Sequence, residues 1–547
     1  MKFSKTQLNL LLLFAGILLF VPFLGSVHLF DWDEINFAEC AREMIVTHNY
    51  SLVQINFLPF WEKPPLFIWM QVLSMKAFGI TAFAARLPDA VCGIITLLLV
   101  FNIGEKLYDK TFGLLWALAF AGSFLPHFYF KSGIIDPWFN LFIFCGIYFF
   151  ILFTNEKTKK IFSEKLFFSA LFIGLAIMTK GPVGLLIFGL CAVVFWIKNR
   201  FQTIATIPQI IFYAAVLLAT AGLWFVYLIL SGHFQLIKEF IEYQIRLLRT
   251  GDAGHSGPFY YHFVVLLIGC FPASILGIRA FKKNSFDTPF QKHFKTGMLI
   301  LFWVVLILFS IVKTKIIHYS SLCYFPLTFL AAYCGYKIIR NELEWKKWMT
   351  KMLLFIASLL GLLLIILPFI NTFKSQIIAS GIIKDSFANA NLEANAHWTG
   401  FEFLIGVFFI VGILLSLYAI QKNNFSKGIF ALFFVTMITV NLAAVAIVPR
   451  VEEYSQNAAI EFYQQLKNKD CYVETLGFKS YAYLFYSDKQ PQKDIRNTNL
   501  DWLLSGNIDK PAYFVCKINN ASEYETKFPQ LKELYRKNGF VFLEREK

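Results

Sequence analysis

Charge is scarce in this 547-residue sequence: only 16% of its residues are Asp, Glu, Lys or Arg, against roughly 25% in soluble domains. Together with 57% hydrophobic residues and a mean hydropathy of +0.58, this excludes an ordinary soluble enzyme. The nine cysteines form no CxxC pair and no zinc spacing, so no metal-finger framework is present. There is no internal repeat, no low-complexity tract and no glycine-rich nucleotide loop. Acid is scarcer still than base, 35 residues against 50, for a net charge of +15. Such a surplus marks either a nucleic-acid partner or the cytoplasmic side of a membrane protein. The position of the bases separates the two.

What the chain has in abundance is apolar runs. A membrane-spanning helix takes about 20 mainly apolar residues, and thirteen segments qualify, near 8–27, 86–105, 112–128, 137–153, 166–179, 182–197, 208–230, 260–278, 297–312, 320–336, 352–371, 403–420 and 428–448. The first follows Lys2 and Lys5 but lacks a small-x-small cleavage site, so it reads as an uncleaved anchor. With the N-terminus inside, every inside loop is basic. They carry Lys106 and Lys110; Lys157, Lys159, Lys160 and Lys165; Lys198 and Arg200; Arg279, Lys282, Lys283, Lys292 and Lys295; Lys337, Arg340, Lys346, Lys347 and Lys351; Lys422 and Lys427. The positive-inside rule accounts for the whole surplus, and the nucleic-acid reading falls. Residues 1–448 form the membrane domain, with 28–85 as its first outer loop. Residues 449–547 form a tail on the outer face, where acids and bases nearly balance. In that tail Ala458–Leu466 reads as a helix and Cys471–Phe478 and Ala512–Lys517 as strands, which predicts a small α/β domain. Cys471 and Cys516 share it and are candidates for a disulfide in an oxidising compartment.

The outer loops hold the chemistry. Asp31 and Glu34 are spaced as a capping box, so a helix is expected to start there. Trp32, Ile35, Ala38, Ala41 and Ile45 give it an apolar stripe, and Glu39, Arg42 and Glu43 a polar one, so it is expected to lie in the interface plane. That puts Asp33 and Glu34 at a helix start on the membrane surface. Four carboxylates within nine residues exceed what capping needs, which makes Asp33 and Glu34 catalytic candidates. Glu62-Lys63-Pro64-Pro65 sits just ahead of a second juxtamembrane helix, with proline in its first turn. A cation and a carboxylate at that helix mouth suit an anionic head group, held directly or through a metal. Short outer loops should be poor in cations, yet Lys131, Lys180, Lys313 and Lys315 stand there, which points to a phosphate partner.

In their order along the chain, Asp33-Glu34 with Ala38-Glu39 and Arg42-Glu43-Met44, Glu62-Lys63-Pro64, and Thr179-Lys180-Gly181 resemble the polytopic glycosyltransferases of the protein O-mannosyltransferase type. The likeness is greatest to the bacterial lipid A aminoarabinose transferase (ArnT-like) branch. His255 ahead of Pro258-Phe259-Tyr260-Tyr261, and Phe309-Ser310 followed by Lys313, Lys315 and Tyr319, match in order too. The resemblance runs from about residue 8 to 340 and implies a mainly α, polytopic GT-C fold. It implies a sugar donor carried on a polyprenyl phosphate and transfer on the outer face of the bacterial inner membrane. On matching positions it makes Asp33 the catalytic base, supported by Asp136. Lys63, Lys180, Arg246 and Tyr319 fall at the donor site, beside the outer cations Lys313 and Lys315. Glu62 and His255 fall where a divalent metal would bind, although no cofactor is essential to the chemistry. One departure stands out: aminoarabinose transferases show Asp-Glu-Thr-Arg-Tyr-Ala-Glu, whereas this chain has Asp33-Glu34-Ile35-Asn36-Phe37-Ala38-Glu39. Asn36 in place of the arginine leaves the sugar and the acceptor, a glycolipid such as lipid A or a protein, open.

The alternative class is a secondary transporter of an anionic solute. Transporters gather binding groups near the midplane on broken helices, whereas here the charges collect at the outer ends of the spans. A single carboxylate base with no second nucleophile favours one displacement, hence inversion.

Overall fold

The computed structural model describes residues 3–156, 160–249, 256–281, 286–492 and 494–547. Each of the thirteen apolar segments is helical. Eight lie in helices long and apolar enough to cross a bilayer, and two more form bent pairs, Lys110–Ala121 with Phe124–Lys131 (81°) and Tyr261–Gly269 with Ala273–Ala280 (112°). The remaining three, Lys5–Phe20, Glu164–Lys180 and Val183–Lys198, have 16, 17 and 16 residues. At 1.5 Å per residue they are about 24–26 Å long, short of the ~30 Å hydrocarbon core. By length and composition alone, eight to ten of the thirteen expected spans are long enough to cross among the described residues. Leu359, Leu362, Leu363 and Ile366 on one helix, and Leu10, Leu11 and Phe14 on another, leave large apolar side chains exposed, as lipid-facing surfaces do.

Helix α1 (Lys5–Phe20) leads to α2 (Asp33–Thr47), α3 (Leu66–Phe78) and α4 (Ala82–Leu107). Helix α3 begins after Pro65, which leaves Glu62 and Lys63 just ahead of it as the prolines require. The expected capping box at Asp31 does not form. Helix α2 starts at Asp33, and Trp32 before it makes no side-chain cap, because the Asp31 carboxyl turns away to Ser480.

Nor is the polar stripe of α2 solvated. Every residue from Glu34 to Met44 is buried. Its apolar side chains Ile35, Ala38, Ala41 and Met44 share a core with Ile460, Tyr463, Tyr483 and Leu484 of the tail. Its polar stripe faces protein in place of water. The Arg42 guanidinium donates to both oxygens of Glu39 (2.6 and 2.7 Å), to Asp488 Oδ1 (3.1 Å) and to the Lys489 carbonyl (2.8 Å). Glu43 Oε2 accepts the Phe57 amide (2.8 Å), and Lys489 Nζ donates to Asn56 Oδ1 (2.9 Å). The stripe of charge on this helix thus belongs to a buried network that clamps α2 between the 54–59 hairpin and the tail.

Burial, then the neighbouring Glu39, push the Glu43 carboxyl up to about 9, so folding takes up a proton there at neutral pH. A raised acid stabilises fully below its unfolded value and loses that contribution as pH rises through the folded one. The thermal midpoint is therefore expected to fall from pH 5 to pH 9. Glu43→Gln, which mimics the protonated group, should flatten that slope while costing under about 1 kcal/mol at pH 7. Melting curves across this range check it.

The tail builds the α/β unit that the sequence predicts. Its sheet runs in the order Tyr472–Leu476, Ala512–Lys517, Phe540–Arg545, Lys532–Lys537, the first pair parallel and the others antiparallel. The helix forms over Asn457–Gln465. The disulfide does not form: both Cys471 and Cys516 are free thiols. Register explains it. Leu476 pairs with Cys516 and Tyr472 with Ala512, so Cys471 lies at the opposite end of its strand, about 15 Å away at ~3.3 Å per residue.

Candidate functional site

Four helix ends converge beside the start of α2. Asp33 opens α2, and Asp136 opens the helix Asp136–Thr154 with Pro137 in its first turn. Lys180 is the last residue of Glu164–Lys180. That helix stops because Gly181 takes φ +93°, where a Cβ would stand 2.4 Å from the Phe240 ring. The fourth end is the 3-10 turn Ile317–Cys323.

Lys180 Nζ donates to Asp136 Oδ1 at 2.5 Å. The Lys180 ammonium also lies 5.3 Å from the Tyr319 ring centroid and 5.7 Å from that of Phe139. His318 Nε2 stands between the two aspartates, 3.3 Å from Asp33 Oδ2 and 3.9 Å from Asp136 Oδ2. The turn that carries His318 is itself held. Its carbonyl accepts from Tyr129 Oη (3.3 Å) and Ser321 Oγ (2.5 Å), and Asn140 Nδ2, on the Asp136 helix, donates to Ser321 Oγ (2.7 Å).

A second group forms around Tyr243. Lys63 Nζ and the Arg246 guanidinium each lie 5.2 Å from its ring centroid, and Trp61 packs edge-on against it. Lys63 is near enough to His318 for its charge to be felt there, so the two groups share one electrostatic field.

Of the residues singled out in the sequence, the structure brings Asp33, Asp136, Lys180 and Tyr319 into one cluster, and Lys63 and Arg246 into the other. Three expectations change. Glu34 is not open to a substrate: Oε1 accepts Arg86 Nε (3.0 Å) and the Gly133 amide (2.6 Å), and Oε2 accepts Arg86 Nη2 (2.7 Å) and the Phe30 amide (2.8 Å). Four donors saturate the carboxylate, and its work is to position its neighbour Asp33. Lys315 is spent on the carbonyls of Phe309, Ser310 and Val312 (3.0, 2.7 and 2.5 Å), a helix C-terminal cap. Lys313 is exposed, with no place in either cluster. His255 lies outside the described residues. Among the described residues no three His, Cys, Asp or Glu side chains gather closely enough to hold a metal ion. Glu62 faces the Lys63 ammonium at 3.7 Å, and no step is assigned to a metal.

Two residues of the site escaped the sequence reading, His318 and Arg86. An arginine at the head of an apolar span is a signal in itself, since a buried charge demands a partner. A histidine beside Tyr319 gives no comparable sign.

Comparison with known proteins follows the same lines. Residues 62–239 match the dolichyl-phosphate-mannose-protein mannosyltransferase family. The undecaprenyl phosphate-alpha-4-amino-4-deoxy-L-arabinose arabinosyl transferases of Wigglesworthia glossinidia brevipalpis and Enterobacter sp. (strain 638) are 26% and 27% identical over 67% and 60% of this chain. The matched region spans 64% and 59% of those relatives, less than two thirds of their length. The structure superposes on ArnT from Cupriavidus metallidurans, solved with undecaprenyl phosphate bound, with a TM-score of 0.78 at 16% identity, covering 99% of this chain and 98% of that one. The fold is GT-C, of the ArnT type. Within it, the tail and the bent helix pairs fall inside the superposed architecture, since nearly the whole of both chains is covered.

Proposed function

We propose that this chain is a membrane glycosyltransferase that moves a sugar from a polyprenyl-phosphate donor to a hydroxyl or phosphate of a glycolipid or protein acceptor. The observation that carries this reading is the convergence of Asp33, Asp136 and Lys180, from three helix ends, beside a second group of cations around Tyr243. The names of the relatives and the lipid phosphate in the superposed ArnT support it.

The chemistry follows from the residues. Polyprenyl phosphate is a good leaving group, so no strong acid is required. Lys63, Lys180 and Arg246 offset the charge that develops on it. Asp33, whose side chain keeps 30% of its surface, takes the acceptor's proton as the acceptor oxygen attacks the anomeric carbon. Asp136 is tied to Lys180 and Glu34 to Arg86, which leaves one free carboxylate and a single inverting displacement.

The reaction faces the outside of the bacterial inner membrane, with the N-terminus in the cytoplasm. Two contacts put the site and the N-terminal segment at opposite ends of α4, and the basic loops assign the N-terminal end to the inside. Arg86 meets Glu34 beside the site, while Glu105, near the far end, pairs with Lys5. The 26 residues of α4 span about 39 Å.

Mass spectrometry of envelope glycolipids and glycoproteins from a deletion strain tests the reading and identifies the acceptor. One class is expected to lose the mass of one sugar. If neither changed and uptake of an anionic solute did, the transferase reading would fall to the transporter.

A further inference from the structure

The Asp136 carboxylate is only half used. Lys180 takes Oδ1, while Oδ2 is buried and has no hydrogen-bond partner among the described residues. A buried carboxylate oxygen left unpaired is costly, and the imidazole of His318 stands 3.9 Å from it. The same ring nitrogen lies 3.3 Å from Asp33 Oδ2. A histidine thus separates the one open carboxylate of the site from a carboxylate with an oxygen to spare.

We propose that His318 takes over the proton that Asp33 removes from the acceptor, with Asp136 holding the resulting imidazolium. The proposal rests on the transferase reading and adds a proton path to it. The acceptor oxygen bonds to the anomeric carbon, the bond from that carbon to the phosphate oxygen breaks, and its electron pair leaves on the polyprenyl phosphate. The acceptor's proton goes to Asp33 and then to His318 Nε2, which restores the Asp33 carboxylate, and the partly exposed ring gives it up to water before the next turnover. Imidazole suits the task because its ordinary pKa, about 6.5, lies above that of a carboxylate, about 4. Lys180 holds the other oxygen of Asp136, and the free oxygen, 3.9 Å from the same Nε2, faces the cation that forms there. His318 acts through Asp33 and is a positioning residue in that sense.

The charged and titratable groups that act on the ring are Asp33 from α2, Asp136, Lys180, Lys63 and, from the helix Tyr261–Gly269, His262. Tyr319 packs edge-on to it at 5.5 Å. The relay needs a neutral imidazole, so turnover falls on the acid side as His318 takes up a proton from solution.

The test adds purified full-length variants to membranes of the deletion strain, which hold the native donor and acceptor. Sugar addition is followed by mass spectrometry as a function of pH, and undecaprenyl phosphate binding is measured in parallel. His318→Gln is expected to lower the rate 10- to 100-fold, to erase the acid limb and to leave that binding unchanged. Asp136→Asn should move the limb to lower pH by about one unit or more, because the imidazolium loses its anion. The second variant keeps the idea open to refutation if His318→Gln fails to fold. A uniform loss of rate with the limb intact in His318→Gln, or an unmoved limb in Asp136→Asn, overturns the relay. If the wild-type protein adds no sugar at all, the transferase reading falls and takes the relay with it.

Discussion

Asp33→Asn is expected to lower sugar transfer by a factor of at least 10² to 10⁴, the range that general base catalysis supplies, while the protein still folds and binds undecaprenyl phosphate. The fold should survive because Asp33 holds nothing together. It sits in the first turn of α2, where its neighbour Glu34, not Asp33, carries the buried ion pair. Its carboxylate keeps 30% of its surface, and among the described residues its contact at ion-pair distance is to the His318 imidazole. Asparagine keeps the size and the tolerance of a helix N-terminus but cannot accept a proton. The loss should therefore appear in turnover and not in donor affinity. Near-wild-type turnover by this variant, measured with native membranes as donor and acceptor, would remove Asp33 from its role.

The parts of this site that were legible in the sequence are those where the membrane makes charge expensive. Asp136, Lys180 and Lys63 stand out because each interrupts or ends an apolar run, and lipid tolerates such residues only for a reason. The same signal misleads at Lys315, since an ammonium at a span end is equally well used by the helix's own last carbonyls. Glu34 looked like chemistry because its partner is 52 residues away in the chain, and no local pattern announces a long-range ion pair. The hydrophobic stripe of α2 was legible, but its polar stripe was not. Glu39, Arg42 and Glu43 would look the same facing water as facing Asp488 and Lys489, more than 440 residues later.

The spans show the same division. Hydropathy located all thirteen helical segments because burying apolar side chains in lipid needs no partner information. It could not tell a crossing helix from a short or bent one. The bend between Ala121 and Phe124, or the stop at Gly181, depends on tertiary contacts. In the tail the strand Ala512–Lys517 was legible from its own pattern. The pairing that keeps Cys471 from Cys516 was not, because register is a property of two strands.

The largest expected loss of stability belongs to Arg86→Met. All five guanidinium donors are spent. Nε and Nη2 go to Glu34 (3.0 and 2.7 Å), Nη1 to the carbonyls of Leu24 and Val27 (2.8 and 2.7 Å), and Nη2 also to the carbonyl of His28 (2.8 Å). One side chain of α4 thus staples the exit of α1, residues 24–28, to the start of α2. Methionine fills much of the volume but leaves Glu34 buried at 6% exposure without its cation and three carbonyls without their donor. Breaking a buried pair from one side costs about 3–5 kcal/mol, a large share of the ~5–15 kcal/mol that holds a typical fold. The variant is expected to accumulate poorly and to melt well below the wild type in detergent. Removing both charges is the discriminating case: Glu34→Gln combined with Arg86→Met should recover part of the loss, since the stranded charge is gone. Recovered stability need not restore transfer. The Phe30 amide that Glu34 also holds sets the backbone just ahead of Asp33, and the Gly133 amide the segment just ahead of Asp136, so the double variant should fold better than the single one and still turn over slowly. An unchanged melting temperature in Arg86→Met would show that this ion pair does not hold the site in place.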